Sequence, residues 1–197
     1  MCPNLLTCLR INYSFLQYCV RNREPTARLR SILYILYLLK LAEANKITAT
    51  LVLPCIGKGD VLFIASNSGR NCAVIDAAME AKKRGAITVA ITSMNHTTQV
   101  ASRHSSGLNL FQVCDYVLDN GGELGDASVE LAGLGQKIAP TSSVIDITLV
   151  NLIVVNTVEL LLQKGMMPPV FMSANTDAGD EANECVLEIY KGKIPSL

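Results

Sequence analysis

The spacing of apolar and polar residues changes period several times between residues 60 and 92. DVLFIA (60–65) is an unbroken apolar run rich in β-formers that stops at the turn residues SNSG, which predicts a buried strand. NCAVIDAAMEAKKR (71–84) then places Val74, Ile75, Ala78 and Ala81 on one helical face and charges on the other, with Asn71 as N-cap and Gly85 as C-cap. ITVAI (87–91) predicts a second buried strand, ending in Thr92 and Ser93. A polar stretch (94–111) precedes a third strand, CDYVLD (114–119), and a loop containing Gly121, Gly122, Gly125 and Gly133. Pro140 and the hydroxyls of Thr141, Ser142 and Ser143 open a long helix over 143–164, closed by Gly165 and a proline pair. Apolar residues lie on nearly all sides of it, the pattern of a helix buried inside a domain or at a subunit interface.

Short apolar strands alternating with helices imply an α/β domain, a parallel sheet with helices on both faces. In such sheets ligands gather beyond the carboxyl ends of the strands. FIASNSGRN (63–71) lies at such an end. There the unpaired N–H groups of a helix start favour an anion, Ser66 and Ser68 add donors, and Gly69 lets the backbone come close; phosphate fits that chemistry. The same residues also make an ordinary structural turn. Repetition favours a site, because hydroxyl clusters recur at Thr92 and Ser93 and at Thr141 to Ser143. Neither GxGxxG nor GxxxxGK[ST] occurs, so the usual fingerprints of dinucleotide and nucleoside triphosphate sites are missing and no cofactor is expected.

Composition bounds the partners. With 197 residues, half of them apolar, and a formal net charge of zero, the chain gives no reason to expect nucleic acid or an acidic membrane surface. Seven cysteines without a CxxC pair, and two histidines, indicate neither a disulfide framework nor a metal site, and free thiols suit a cytoplasmic protein. The apolar run ILYILYLL (32–39) is far short of a bilayer span of about 20 residues, so it predicts no membrane helix.

Several motifs occur in order: GDVLFIASNSGRN, AMEAKKRGAITVAITSMNHT, ASRHSSG, VLDNGGELGDASVEL, APTSSV and PPVFMSANTDAGDEANE. Together they resemble the sugar isomerase (SIS) domain, in a bacterial branch related to N-acetylmuramic acid 6-phosphate etherase and phosphoheptose isomerase. The resemblance covers residues 59–197 and implies a flavodoxin-like three-layer parallel sheet, a homodimer, and a sugar phosphate bound through serine and threonine loops. It places Ser66, Asn67, Ser68, Gly69, Arg70 and Asn71 on the phosphate loop, with Thr92, Ser93, Thr141, Ser142 and Ser143 as further ligand groups. Isomerisation, or elimination of an ether β to a carbonyl, needs a base beside the carbonyl. Glu130 is the first candidate, Asp126 the second, and His104 could move a proton or orient a hydroxyl. The family histidine of the C-terminal motif is Ala182 here.

Residues 1–58 read differently. Up to residue 59 the chain has eight basic residues against two acidic ones, a net of +6, and the first glycine, histidine and serine loop of the family is not found. The expectation is an atypical N-terminal segment, in which 28–44 forms an apolar helix. ITATLVL (47–53) makes at most an antiparallel hairpin, and the central strand between the next two is missing. Three functional readings follow: an isomerase or etherase-type lyase, a phosphosugar-binding module or sensor without turnover, and a truncated relic.

Overall fold

The computed structural model describes residues 34–37, 56–173, 175–176 and 178–190. Four parallel strands form one sheet in the order β1 (Tyr34–Tyr37), β2 (Val61–Ala65), β3 (Ile87–Thr92) and β4 (Tyr116–Asp119). Helix α1 (Cys72–Lys83) crosses from β2 to β3, and the single turns α2 (Met94–Thr97) and α3 (Leu110–Val113) lie between β3 and β4. A small antiparallel hairpin follows, β5 (Ala127–Val129) with β6 (Ile138–Pro140), and then the long helix α4 (Ser142–Gln163) and α5 (Gly179–Tyr190).

The alternation within the strands decides which helix packs where. Leu62 and Ile64 of β2 and Ala90 of β3 point to one face, where α1 covers them with Val74, Ile75, Ala77, Ala78 and Ala81. Val61, Phe63, Val89 and Ile91 point to the other, against Leu149, Ile153 and Leu160 of α4. The result is the α/β three-layer fold that the sequence predicts. The helix stops one residue earlier than the C-cap read at Gly85: the C-cap is Arg84, and Gly85 follows it with a φ of 83° that suits glycine, while the Ala86 N–H returns to the Ala81 carbonyl.

One expectation is corrected. A strand does precede β2: Tyr34–Tyr37 runs parallel to it, in register from Tyr34 with Leu62 to Tyr37 with Ala65. It lies outside β2 rather than between the next two strands, since β2 pairs directly with β3 from Val61 with Ile87 to Ala65 with Ile91. The apolar run around it was read as helix because a short, fully apolar stretch carries no period that separates helix from strand. The chain between Tyr37 and Val61 exceeds the dozen or so residues that a parallel crossover requires. The hairpin proposed for 47–53 lies outside the described residues.

Helix α4 buries one stripe and leaves another open. Val144, Ile147, Val155 and Leu162 are each at least half exposed. Among the described residues α4 alone is long and apolar enough to cross a membrane by length and composition. In the fold its inner stripe packs on the sheet, and it carries a buried carboxylate, Asp146.

Candidate functional site

The carboxyl ends of β2, β3 and β4 meet the loop 66–71, and backbone bonds fix that loop before any ligand is considered. The Ser66 N–H donates to the Ile91 carbonyl (2.9 Å), the Ser93 N–H to the Asn67 carbonyl (3.1 Å) and the Leu110 N–H to the Gly69 carbonyl (2.8 Å). Gly69 has φ 57°, and a Cβ there would lie 3.0 Å from Thr97 Oγ1 and 3.2 Å from Leu110 Cβ. Only glycine meets both constraints without strain.

The three hydroxyl clusters have different duties. Thr92 Oγ1 donates to the Asn67 carbonyl (3.0 Å), and Ser93 Oγ donates to the Gly122 carbonyl while accepting from the His96 N–H. Both side chains are fully buried, so they brace the loop from below. At the start of α4, Asp126 intervenes. Its Oδ1 accepts from the Ser142 N–H (2.8 Å) and the Thr141 N–H (3.2 Å), and its Oδ2 accepts from Ser142 Oγ (2.6 Å). A carboxylate therefore already occupies that helix N-terminus, where capping and helix dipole both stabilise it. These bonds help hold Asp126 at φ 72°, a conformation that Asp tolerates better than most residues. Ser143 is exposed beside it.

The start of α1 is the opposite case. Asn71 stands at the N-cap but makes no side-chain cap, and no acidic residue lies in the first turn. Asn71 Oδ1 instead accepts from Arg103 Nη1 at 3.4 Å. The hydroxyls of Ser66 and Ser68 have no partner among the described residues. Two buried donors are also unpaired, Asn67 Nδ2 and Arg70 Nε. Each such buried donor costs about 1–3 kcal/mol if left unsatisfied.

The three residues considered as acid or base lie elsewhere or are occupied. Glu130 is exposed on the hairpin, 3.8 Å from Lys137 Nζ. Asp126 is committed to the α4 cap. His104 is held on the outer surface of α1, with Nε2 3.0 Å from Asp76 Oδ1 and Nδ1 2.7 Å from Ser106 Oγ. Among the described residues no group of three His, Cys, Asp or Glu side chains is placed to hold a metal ion.

Sequence reasoning missed Asp146 and Asn120. Asp146 is 4% exposed, one turn into α4, and its Oδ1 accepts from Asn120 Nδ2 at 2.8 Å. Burial pushes its carboxyl up to about 6, against the opposing hydrogen bond from Asn120 and with a smaller push from the Asp126 charge. Asn120 Nδ2 also reaches Asn67 Oδ1 at 3.0 Å, so a buried polar chain joins α4 to the loop. The available signal was a single acid in the stretch VIDITLV, which is apolar apart from that acid and Thr148.

Comparison with known proteins bears on this arrangement. A model of the SIS domain family matches residues 36–93, a span that takes in the end of β1, then β2, the loop 66–71, α1 and β3. The chain is an SIS domain protein. It is 46% identical over 139 residues to a UPF0309 protein of Shouchella clausii, covering 71% of this chain and 56% of that one. A UPF0309 protein of Oceanobacillus iheyensis is 45% identical over 139 residues with the same coverage, and one of Geobacillus thermodenitrificans is 42% identical over 138 residues, covering 70% and 55%. The chain thus spans little more than half the length of these relatives. The SIS match begins ahead of residue 59, within the segment that the sequence alone left unassigned. Among solved structures, the Vibrio vulnificus NanR protein complexed with ManNAc-6P is similar at a TM-score of 0.39 and 19% identity, over 93% of this chain and 51% of that one.

Proposed function

We propose that this SIS domain binds a phosphorylated sugar or amino sugar in the cytoplasm, with the phosphate seated on residues 66–71 at the start of α1. The supporting observation is the uncapped helix start immediately preceded in the chain by unpaired donors, Ser66 Oγ, Ser68 Oγ, Asn67 Nδ2 and Arg70 Nε. The SIS assignment supports the ligand class. Binding without turnover is favoured over isomerase or lyase chemistry, because Glu130 is solvated and Asp126 is tied to the α4 cap. A thermal shift panel of hexose, heptose and amino sugar phosphates, each beside its unphosphorylated sugar, tests the reading. A true ligand at a hundred times its dissociation constant should add about 2.7 kcal/mol of stability. Equal shifts with and without phosphate, or none, would reject it.

The open stripe of α4 supports a twofold symmetric homodimer as the working form. Replacing Val155, 62% exposed, by Asp should weaken such a dimer without disturbing the inner stripe of the helix. Sedimentation equilibrium reads the outcome: a wild-type chain that stays monomeric at micromolar concentration would remove this role.

A further inference from the structure

We propose that Asp146 is a positioning residue that acts through Asn120: it fixes the Asn67 carboxamide so that Nδ2 remains a free donor for the anion on residues 66–71. The inference rests on the phosphate-binding reading of that loop.

The hydrogen-bond inventory determines the orientation of each group. An ionised carboxylate only accepts, so Asn120 must turn its NH2 group toward Asp146. The Asn120 Oδ1 then faces away and accepts from the Gly122 N–H at 3.0 Å, which agrees with that orientation. The second hydrogen on Asn120 Nδ2 is directed to Asn67, where it requires an acceptor, and Oδ1 occupies that position at 3.0 Å. Asn67 is left with its Nδ2 on the other side, buried and unpaired. The packing is too tight for a casual rearrangement: a Cβ on Gly122 would lie 3.1 Å from both Asn67 Oδ1 and Asn120 Oδ1. The chain therefore transmits the charge state of a residue on α4 to a donor in the ligand loop.

Protonation of Asp146 replaces a charge-assisted acceptor by a neutral one and weakens the anchor. Its raised carboxyl brings that change into the range from pH 8 to pH 5. Asn120, from the end of β4, faces Asp146, and Asp126, from the turn before β5, is the charged group acting on it among the described residues. Elementary electrostatics alone gives the opposite trend. Losing the Asp146 charge makes the region more positive and favours an anion. The sign of the effect separates the two accounts.

Sulfate is the appropriate probe, because it does not titrate in this range whereas a phosphate monoester does. Its dissociation constant is measured by calorimetry at pH 8 and pH 5 on the full chain. Sulfate affinity should fall roughly fivefold on acidification, the difference between a charge-assisted and a neutral hydrogen bond. Asp146→Asn should bind at about the acidified wild-type level at both pH values. A wild-type affinity that stays constant or rises on acidification would overturn the positioning role, while sulfate binding itself would leave the loop reading intact. Absence of sulfate binding at either pH would overturn both.

Discussion

Gly69→Val is expected to unfold the ligand loop and to remove anion binding altogether. A β-branched side chain at φ 57° costs about 1–3 kcal/mol in backbone strain alone. The new Cβ would also press on Thr97 Oγ1 at 3.0 Å and Leu110 Cβ at 3.2 Å, inside a close-packed region where Thr97 and Leu110 are fully buried. Overpacking adds about 1–3 kcal/mol, so the total loss should be roughly 2–6 kcal/mol. Against a typical stability of about 5–15 kcal/mol, that is a large fraction of the whole. Urea denaturation of the variant gives the stability loss directly. A midpoint equal to that of the wild type would show that the loop tolerates a side chain, and the tight-turn account would fail.

Replacing Ser66 and Ser68 together by Ala should have the contrasting outcome, a folded protein that has lost its ligand. Their hydroxyls bond to no described residue, so truncation leaves no buried group unsatisfied, and stability should change by less than about 0.5 kcal/mol each. If both donate to a phosphate, two charge-assisted bonds of about 1.5–3 kcal/mol each disappear, and affinity should fall at least tenfold. Calorimetric titration with the best sugar phosphate of the panel reads this loss. Unchanged affinity in a normally folded double variant would exclude Ser66 and Ser68 from the site.

What the sequence made legible follows from the range of the interactions involved. β2, α1, β3 and α4 were read within a residue or two because each is specified locally, by a bounded apolar run or by a helical stripe with its stop signals. The Ser66 to Asn71 turn was legible for the same reason. β1 was misread because YILY lies in a run whose apolar residues suit helix and strand equally. The β5–β6 hairpin was passed over as a glycine loop, since β6 is exposed throughout and lacks the alternation of a half-buried strand.

Site chemistry was less legible because it depends on residues distant in the chain. Asp126 was read as a base, yet its role is set by Ser142, sixteen residues later, whose N–H and hydroxyl it caps. Thr92 and Ser93 were placed among the ligand groups from their position at a strand end, whereas their hydroxyls turn inward to Asn67 and Gly122. Asn120 lies 53 residues from Asn67, and no local pattern announces that the two amides meet. Asp146 did carry a signal, since an acid within an apolar stripe must find a partner when buried. Its partner became visible only when the carboxyl ends of the strands were brought together.

In the proposed complex the anion sits on the start of α1 and not on the start of α4. Amide chemical shifts followed by NMR during titration with a sugar phosphate distinguish the two positions. The largest changes are expected at the backbone N–H groups of residues 68–74 and at the Asn67 side-chain amide, with little movement at Thr141, Ser142 and Ser143, whose helix start Asp126 already caps. Changes concentrated at Thr141 to Ser143, with residues 68–74 unmoved, would contradict the account.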